Sequence, residues 1–250
     1  MGTFVEHIEA STGLSITSGP LSRPTLIDLK LFLREGIKDV INNVLKFSPG
    51  SAEMFAIESD RKQNSDNFKV DSGIILEIMR ERVANEWRPC RQVPVSKQYL
   101  VTDVNSFDYA SDYNPVYIRD NNNTIKVFPA MDSTTLGFKV RYIDFSRYDS
   151  DDFNLDANTD LETPGIKGFP SLFIPHLVAY GSIKALTEYH YYILNTKEDI
   201  ELASGYLSTL KELKDSYEGM FLTKDIMLSA RQQQQQQQQR QQPKRARRKS

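Results

Sequence analysis

The chain has 250 residues, 39% of them hydrophobic and 10% aromatic, which is enough apolar material for a globular body. Its single cysteine, Cys90, excludes a disulfide within the chain and is typical of a protein made in a reducing cytosol. Residues 1–10 lack the basic start and apolar run of a signal peptide, and no segment is apolar enough to span a membrane. We therefore expect a soluble protein.

The net charge of −2 conceals an uneven distribution of charge. Residues 231–250 hold seven basic side chains and no acidic one. The first 230 residues hold the other 24 basic side chains and all 33 acidic ones, a balance of −9. An acidic body and a basic end behave as two separate electrostatic objects on one chain.

Residues 1–24 mix Ser, Thr, Gly and Pro with scattered apolar residues, a composition that predicts an extended arm. Residues 25–47 predict an amphipathic helix, with Thr25 as its N-cap and Asp28 as the acidic partner in the first turn. Apolar residues recur there at three- and four-residue spacing, at Leu29, Leu33, Ile37, Val40, Ile41 and Val44. Because glycine inside a helix costs about 1 kcal/mol relative to alanine, Gly36 suggests a close approach of another helix.

Residues 48–147 are predicted to form an inserted β module. Short segments with strand-like composition lie at 54–57, 74–79 and 87–93. The middle segment is also compatible with a helix, and residues 96–102 predict one short helix. The clearest strand signal is a hairpin, in which 116–119 and 124–128 flank an Asx-rich turn at 120–123. Apolar residues then alternate from Phe138 to Tyr142 in a following strand.

Residues 148–167 are acidic and irregular, and they predict a loop. Five oxygen-bearing residues alternate there as the ligands of a calcium-binding loop do: Asp152, Asn154, Asp156, Asn158 and Asp160. Ala157 stands where such a loop needs glycine, and Thr163 stands where it needs a bidentate glutamate. A solvated acidic loop is therefore favoured over a calcium site, and no metal site is predicted.

Residues 168–222 predict two consecutive helices. Pro170 and Pro175 mark the start of the first. Asn195 and Thr196 end it, and Thr196 with Asp199 caps the second. The apolar stripe of the second helix consists of Ala203, Leu207, Leu210, Leu213, Tyr217 and Phe221. So short a connection implies an antiparallel pair, which together with the helix at 25–47 predicts a helical bundle and an α+β fold.

No catalytic arrangement of residues is recognisable, so we predict neither an enzyme nor a cofactor. The chain has three histidines without zinc-site spacing, at positions His7, His176 and His190. The last two are fourteen residues apart on one predicted helix, about 21 Å along its axis. Cys90 lies between Arg88 and Arg91, two cations that favour a thiolate, but a buried structural cysteine is the better interpretation because no base is identifiable.

Residues 223–250 predict a disordered, glutamine-rich basic tail, with eight glutamines at 232–239. The candidate partner-binding residues of this tail are Arg240, Lys244, Arg245, Arg247, Arg248 and Lys249. They would act as an electrostatic clamp on nucleic acid or on an acidic protein surface. No aromatic residue is interleaved to stack on bases, which argues against sequence-specific binding of single strands. The alternative is a solvated end that only improves solubility.

Three stretches carry a resemblance to a known family. They are LKLFLREGIKDVINNVL at 29–45, WRPCRQVPVSKQYLVTDVNSFDYASDYNPVYIRDNNNTIKVFPA at 87–130, and GFPSLFIPHLVAYGSIKALTEYHYYILNTKEDIELASGYLSTLKELKDSYEGMF at 168–221. Together they resemble head-to-tail connector proteins of short-tailed bacteriophages, including crAss-like phages. These are adaptor or ring subunits that sit beneath the portal.

The resemblance implies a helical bundle with an inserted β domain, assembled into a ring, usually of twelve copies, at the head-tail junction of the virion. It also implies synthesis in the host cytoplasm, no catalytic residues, and two protein partners, the portal and another tail ring or nozzle protein. The C-terminal segment of such adaptors docks on the portal, and residues 231–250 occupy that position here.

DNA would pass through the ring without sequence-specific contact, which suits an acidic body, because each basic phosphate contact adds salt-sensitive affinity. The main alternative is a nucleic-acid-binding virion protein that acts through the basic tail.

Overall fold

The computed structural model describes residues 3–16, 23–130, 136–148, 166, 168–197 and 199–222. Its α-helices are α1 (Phe4–Thr12), α2 (Leu26–Phe47), α3 (Gln98–Val101), α4 (Ile174–Tyr192) and α5 (Ile200–Leu222). Its strands are β1 (Ile57–Glu58), β2 (Gly73–Val83), β3 (Glu86–Pro89), β4 (Arg91–Gln92), β5 (Val116–Arg119), β6 (Ile125–Phe128) and β7 (Phe138–Asp144). The predicted α+β fold class is confirmed.

The chain divides into a helical unit and a β unit. The β unit is Ala56–Asp149, and the helical unit takes the residues before and after it. The β unit is thus inserted into a helical unit that both ends of the chain build. The 3-10 turn Pro49–Phe55 belongs to the helical unit, where the ring of Phe55 packs on Phe169 and Phe173 at centroid distances of 5.5 and 5.0 Å.

The first described segment is a helix, so the predicted extended arm is wrong for residues 4–12. Thr3 and Glu6 form a capping box, in which the Thr3 hydroxyl accepts from the Glu6 N–H at 3.2 Å and the Glu6 carboxylate accepts from the Thr3 N–H at 2.9 Å. Phe4 and Ile8 are fully buried as α1 packs on α4. Burial of this face, at about 1.5–3 kcal/mol for each large side chain, holds a short helix that would not be stable alone.

Helix α2 begins as predicted, because Thr25 and Asp28 form a second capping box. The predicted apolar stripe is buried along its whole length, against α4 and α5. Gly36 marks the close approach: a Cβ there would lie 2.7 Å from Cδ1 of Tyr180 and 2.8 Å from Cδ1 of Leu177, both on α4.

The connection between α4 and α5 differs from the prediction. The last turn of α4 runs into a π-helical turn, Ile193–Lys197, and Asp199 rather than Thr196 caps α5 by accepting from the Leu202 N–H at 2.9 Å. The buried face of α5 consists of Ala203, Leu210, Tyr217 and Phe221. Leu207, predicted to be in the core, is 49% exposed. It lies at the edge of that face, about 40° around the helix from Ala203 and about 60° from Leu210.

One polar contact joins α5 to α2 inside the helical unit. The Tyr217 hydroxyl donates to the Asp39 carboxylate at 2.5 Å, and the same carboxylate oxygen accepts from the Asn43 side chain at 2.8 Å. Burial and the Asp39 charge raise the pKa of Tyr217 well above its ordinary range. The contact stabilises one register of α5 on α2, since it pairs Tyr217 with Asp39 specifically.

The β unit contains two sheets. The first is antiparallel, with strand order β1-β7-β2-β3, and the second has the order β4-β5-β6, with β4 parallel to β5. The apolar core of the first sheet packs around Ile78, Phe138 and Val140. The second contributes Val116 and Ile118 to a neighbouring cluster.

Most of the predicted β elements are confirmed. The hairpin pairs β5 with β6, and the Asp120 carboxylate accepts from the N–H groups of Thr124 and Asn122, both at 2.9 Å. These two bonds, the Thr124 bond first, lower the pKa of Asp120. Residues 74–79, left open between helix and strand, belong to β2. The predicted strand at 54–57 is wrong except at its end, since Pro49–Phe55 is a 3-10 turn.

Candidate functional site

A groove of about 600 Å³ lies on the helical unit between α1, α4 and α5. Its lining residues are His7, Ser11, Ser171, Ile174, Pro175, Val178, Ala179, Ser182, Leu213, Ser216 and Met220. Its volume is within the range of natural binding pockets. We call it the α1–α4–α5 groove.

Small residues on α4 create one wall of this groove. A Cβ on Gly181 would lie 2.9 Å from Cδ1 of Ile8, so α1 approaches α4 as closely as the backbone allows. Beside it, the hydroxyls of Ser11 and Ser182 are 2.6 Å apart, and Ser182 also donates to the Val178 carbonyl at 2.9 Å. The Ser182 hydroxyl is therefore hydrogen-bonded to neighbouring groups of α1 and α4. The groove therefore offers mainly apolar surface, from Ile174, Val178, Ala179, Leu213 and Met220.

The histidine that follows the groove residue Pro175 on α4 is buried. His176 is 6% exposed and packs between the rings of Phe173 and Phe221, at centroid distances of 5.4 and 4.8 Å. Burial lowers the pKa of His176, and the backbone carbonyl of Met220 opposes that only in part. The lowered pKa favours the neutral form of the His176 imidazole.

A second exposed feature lies on the β unit, on the loop formed by residues 102–110, which we call the Phe107 loop. The Phe107 side chain is fully exposed, and its neighbour Val104 is 70% exposed. Single exposed apolar residues are common, and aromatic residues are enriched at protein interfaces relative to the rest of the surface.

Hydrogen bonds fix the backbone on both sides of Phe107. The Asp103 carbonyl accepts from the Ser106 N–H at 3.0 Å, and the Ser106 carbonyl accepts from the Tyr109 N–H at 3.1 Å. Arg91 holds the adjacent Asp108 carboxylate at 2.8 Å, and this contact lowers the pKa of Asp108. The phenylalanine is therefore presented on a fixed support.

The predicted site residues of the basic tail, Arg240 to Lys249, lie outside the described residues, as does the alternating Asp152–Asp160 series. His7 is on α1, and His176 and His190 are both on α4 as predicted. Within the described part of the chain, no group of three or more His, Cys, Asp or Glu side chains could hold a metal ion.

Cys90 is half-buried, where the sequence predicted a buried structural cysteine. Its side chain packs against the apolar cluster of the first sheet. Burial raises the pKa of the Cys90 thiol to about 12, although the charge of Arg80 opposes this shift. The neighbours Arg88 and Arg91 are engaged with Glu86 and Asp108. The thiol is therefore protonated at neutral pH.

Neither the groove nor the Phe107 loop was predicted from the sequence. The Thr3-x-x-Glu6 spacing signals a helix start and could have revealed α1, and with it one wall of the groove. The exposure of Phe107 has no sequence signal, because phenylalanine is usually buried.

Among the helices that the structure describes, none combines the length and the apolar character needed to cross a membrane. No family model, no curated protein and no solved structure matches this chain.

Proposed function

We propose that this chain is a structural virion protein, a ring-forming head-to-tail connector that extends the portal channel for DNA passage and anchors the tail. The observation that carries the proposal is the order of the units along the chain: the residues before and after the β unit Ala56–Asp149 together build the helical unit. This is the arrangement that the sequence resemblance to connectors implies.

The distribution of charge supports the same proposal. The acidic first 230 residues, with their balance of −9, would let DNA pass without being held, since phosphate affinity comes from basic contacts. The basic end would dock on an acidic partner surface, for which the portal is our candidate. Single exposed ion pairs contribute only about 0–1 kcal/mol, so several of the six tail residues must act together.

The decisive experiment images the head-tail junction of the virion, or a complex reconstituted from this protein and its portal. We expect a closed ring of copies beneath the portal. Density for one copy there, or none, would refute the connector function.

A second candidate function, nucleic-acid binding through the tail, is favoured by the seven basic residues and no acidic residue at 231–250. Deleting 231–250 and measuring binding to portal and to DNA over a salt series separates the two. If the intact protein binds the portal less tightly as salt rises, and the deletion reduces that binding, the result supports docking. Loss of DNA affinity with unchanged portal affinity supports nucleic-acid binding instead.

A further inference from the structure

We propose that residues 223–230, which follow α5 in the sequence, turn back along α5 and place an apolar triplet in the α1–α4–α5 groove of the same chain. The apolar triplet consists of Ile226, Met227 and Leu228. This contact attaches the start of the basic tail to the helical unit. The inference goes beyond the connector function and does not depend on it.

The apolar triplet is isolated in a polar part of the sequence. The three residues before it, 223–225, are polar, and from 229 to 250 the chain contains only Ser, Ala, Arg, Gln, Pro and Lys. These residues lie outside the described part of the chain. Burial of the triplet is favourable because it removes apolar surface from water, and the nearest apolar surface along the chain is at the end of α5.

The groove offers apolar surface that the described helices leave partly uncovered. Leu213 and Met220 line it, lie seven residues apart on α5, and are both half-buried. They lie about 60° around the helix from Leu210 and Tyr217, two residues of the buried face of α5. Helix α5 therefore carries a second apolar strip at the edge of its buried face. The groove volume of about 600 Å³ accommodates several aliphatic side chains.

The chain geometry places the apolar triplet within reach of the groove. Helix α5 ends at Leu222, and Met227 is five residues further on, so the two Cα atoms can lie up to about 18 Å apart. Ser216, which lines the groove, is six residues before Leu222, about 9 Å back along the helix axis. A short covalent connection also gives an effective concentration in the millimolar range. This tether favours the triplet over an apolar group of another chain.

The first test is disulfide formation in the full chain carrying both Ser216→Cys and Met227→Cys. We expect a disulfide within the monomer, identified by mass spectrometry as a link between the tryptic peptides 215–224 and 225–231. If residues 223–227 instead continue α5 as a helix, the two positions are about 17 Å apart along its axis, too far for a disulfide. Absence of the link therefore refutes the inference.

The matched control for this disulfide is Gly205→Cys with Met227→Cys. A Cβ on Gly205 meets nothing within 4 Å, so the new side chain is tolerated. Gly205 lies about 26 Å before Leu222 along α5, beyond the reach of Met227. No disulfide within the monomer should form in this variant.

The second test is the binding of the apolar dye ANS to the full chain. Ile226→Asp with Met227→Asp should raise the fluorescence of added ANS, because the groove loses its occupant and binds the dye. Ser229→Asp with Ala230→Asp is the matched control, since it adds the same charge beside the triplet and removes no large apolar side chain. Its ANS fluorescence should equal that of the wild type. Equal fluorescence in the wild type and in the first variant would contradict the inference.

Two further outcomes identify a different partner of the triplet, and each refutes the inference. In the first, positions 216 and 227 form a disulfide only when two singly substituted chains are mixed, so that the groove belongs to a second copy. In the second, Ile226→Asp with Met227→Asp weakens portal binding without changing ANS fluorescence, so that the triplet binds the portal. Imaging of the head-tail junction tests the connector function separately in either case.

Discussion

Replacing Gly36 by alanine should destabilise the helical unit, although the same replacement in an ordinary helix stabilises it. Removing glycine from a helix interior gains about 1 kcal/mol. The new methyl group would lie within 2.8 Å of side-chain atoms of Tyr180 and Leu177, closer than carbon atoms can pack. Leu177 is fully buried, so it has little room to withdraw.

Overpacking of a core costs about 1–3 kcal/mol, which outweighs the gain in helix propensity. We therefore expect Gly36→Ala to lower the free energy of unfolding by up to about 2 kcal/mol. Gly205 on α5 is the matched control, since nothing lies within 4 Å of a Cβ built there. Gly205→Ala should raise the free energy of unfolding by about 1 kcal/mol.

The measurement is denaturant unfolding followed by two signals. Far-UV circular dichroism reports the helices, and the fluorescence of Trp87, the single tryptophan, reports the β unit. In the circular dichroism signal, the denaturant concentration at the midpoint of unfolding should fall for Gly36→Ala and rise for Gly205→Ala. If both variants are stabilised equally, α2 and α4 do not pack closely at Gly36, and the arrangement of the helical unit is wrong.

Further predictions concern the buried face of α5, the Tyr217–Asp39 bond and the half-buried Cys90. Leu210→Ala should cost about 2–5 kcal/mol in thermal or denaturant unfolding, whereas Leu207→Ala should change stability by about 0.5 kcal/mol or less; equal costs would refute the burial assigned to α5. Tyr217→Phe should cost about 1–3 kcal/mol, because it leaves Asp39 without this donor. Since the pKa of Tyr217 is raised by folding, its stabilisation is complete below pH 10.0 and is lost above it, so Tyr217→Phe should flatten the alkaline decline in stability. Cys90, half-buried with its pKa raised to about 12, should react with a thiol reagent at neutral pH more slowly in the native protein than after unfolding; equal rates in the two states would refute this prediction.

The features that were predictable are those that depend on local chemistry. The Thr25–Asp28 capping box and the apolar stripe of α2 rest on spacing within one helix, and both are as predicted. The β5–β6 hairpin was predictable for the same reason, since the Asp120 carboxylate accepts from backbone N–H groups of its own turn.

The features that were missed depend on packing between distant segments. Leu207 has correct spacing for the stripe of α5, but the position of α2 and α4 decides which side of that stripe is covered. The groove forms only because α1 lies on α4, and the glycine that permits this, Gly181, is about 170 residues from α1 in the sequence. No local sequence pattern predicts such a contact between distant segments.

The insertion of the β unit also determines the order in which the protein can fold. All the strand pairs that the structure describes lie within Ala56–Asp149, so this unit can fold as soon as it has left the ribosome. Helix α2 emerges before the β unit, but its partner α4 is made after it, so contacts such as Leu33 with Gly181 span most of the chain. Such non-local contacts slow folding. The apolar stripe of α2, which is buried in the folded protein, is exposed to other chains until α4 has been synthesised. We therefore expect the β unit to fold first during synthesis, and chains truncated before α4 to aggregate through α2.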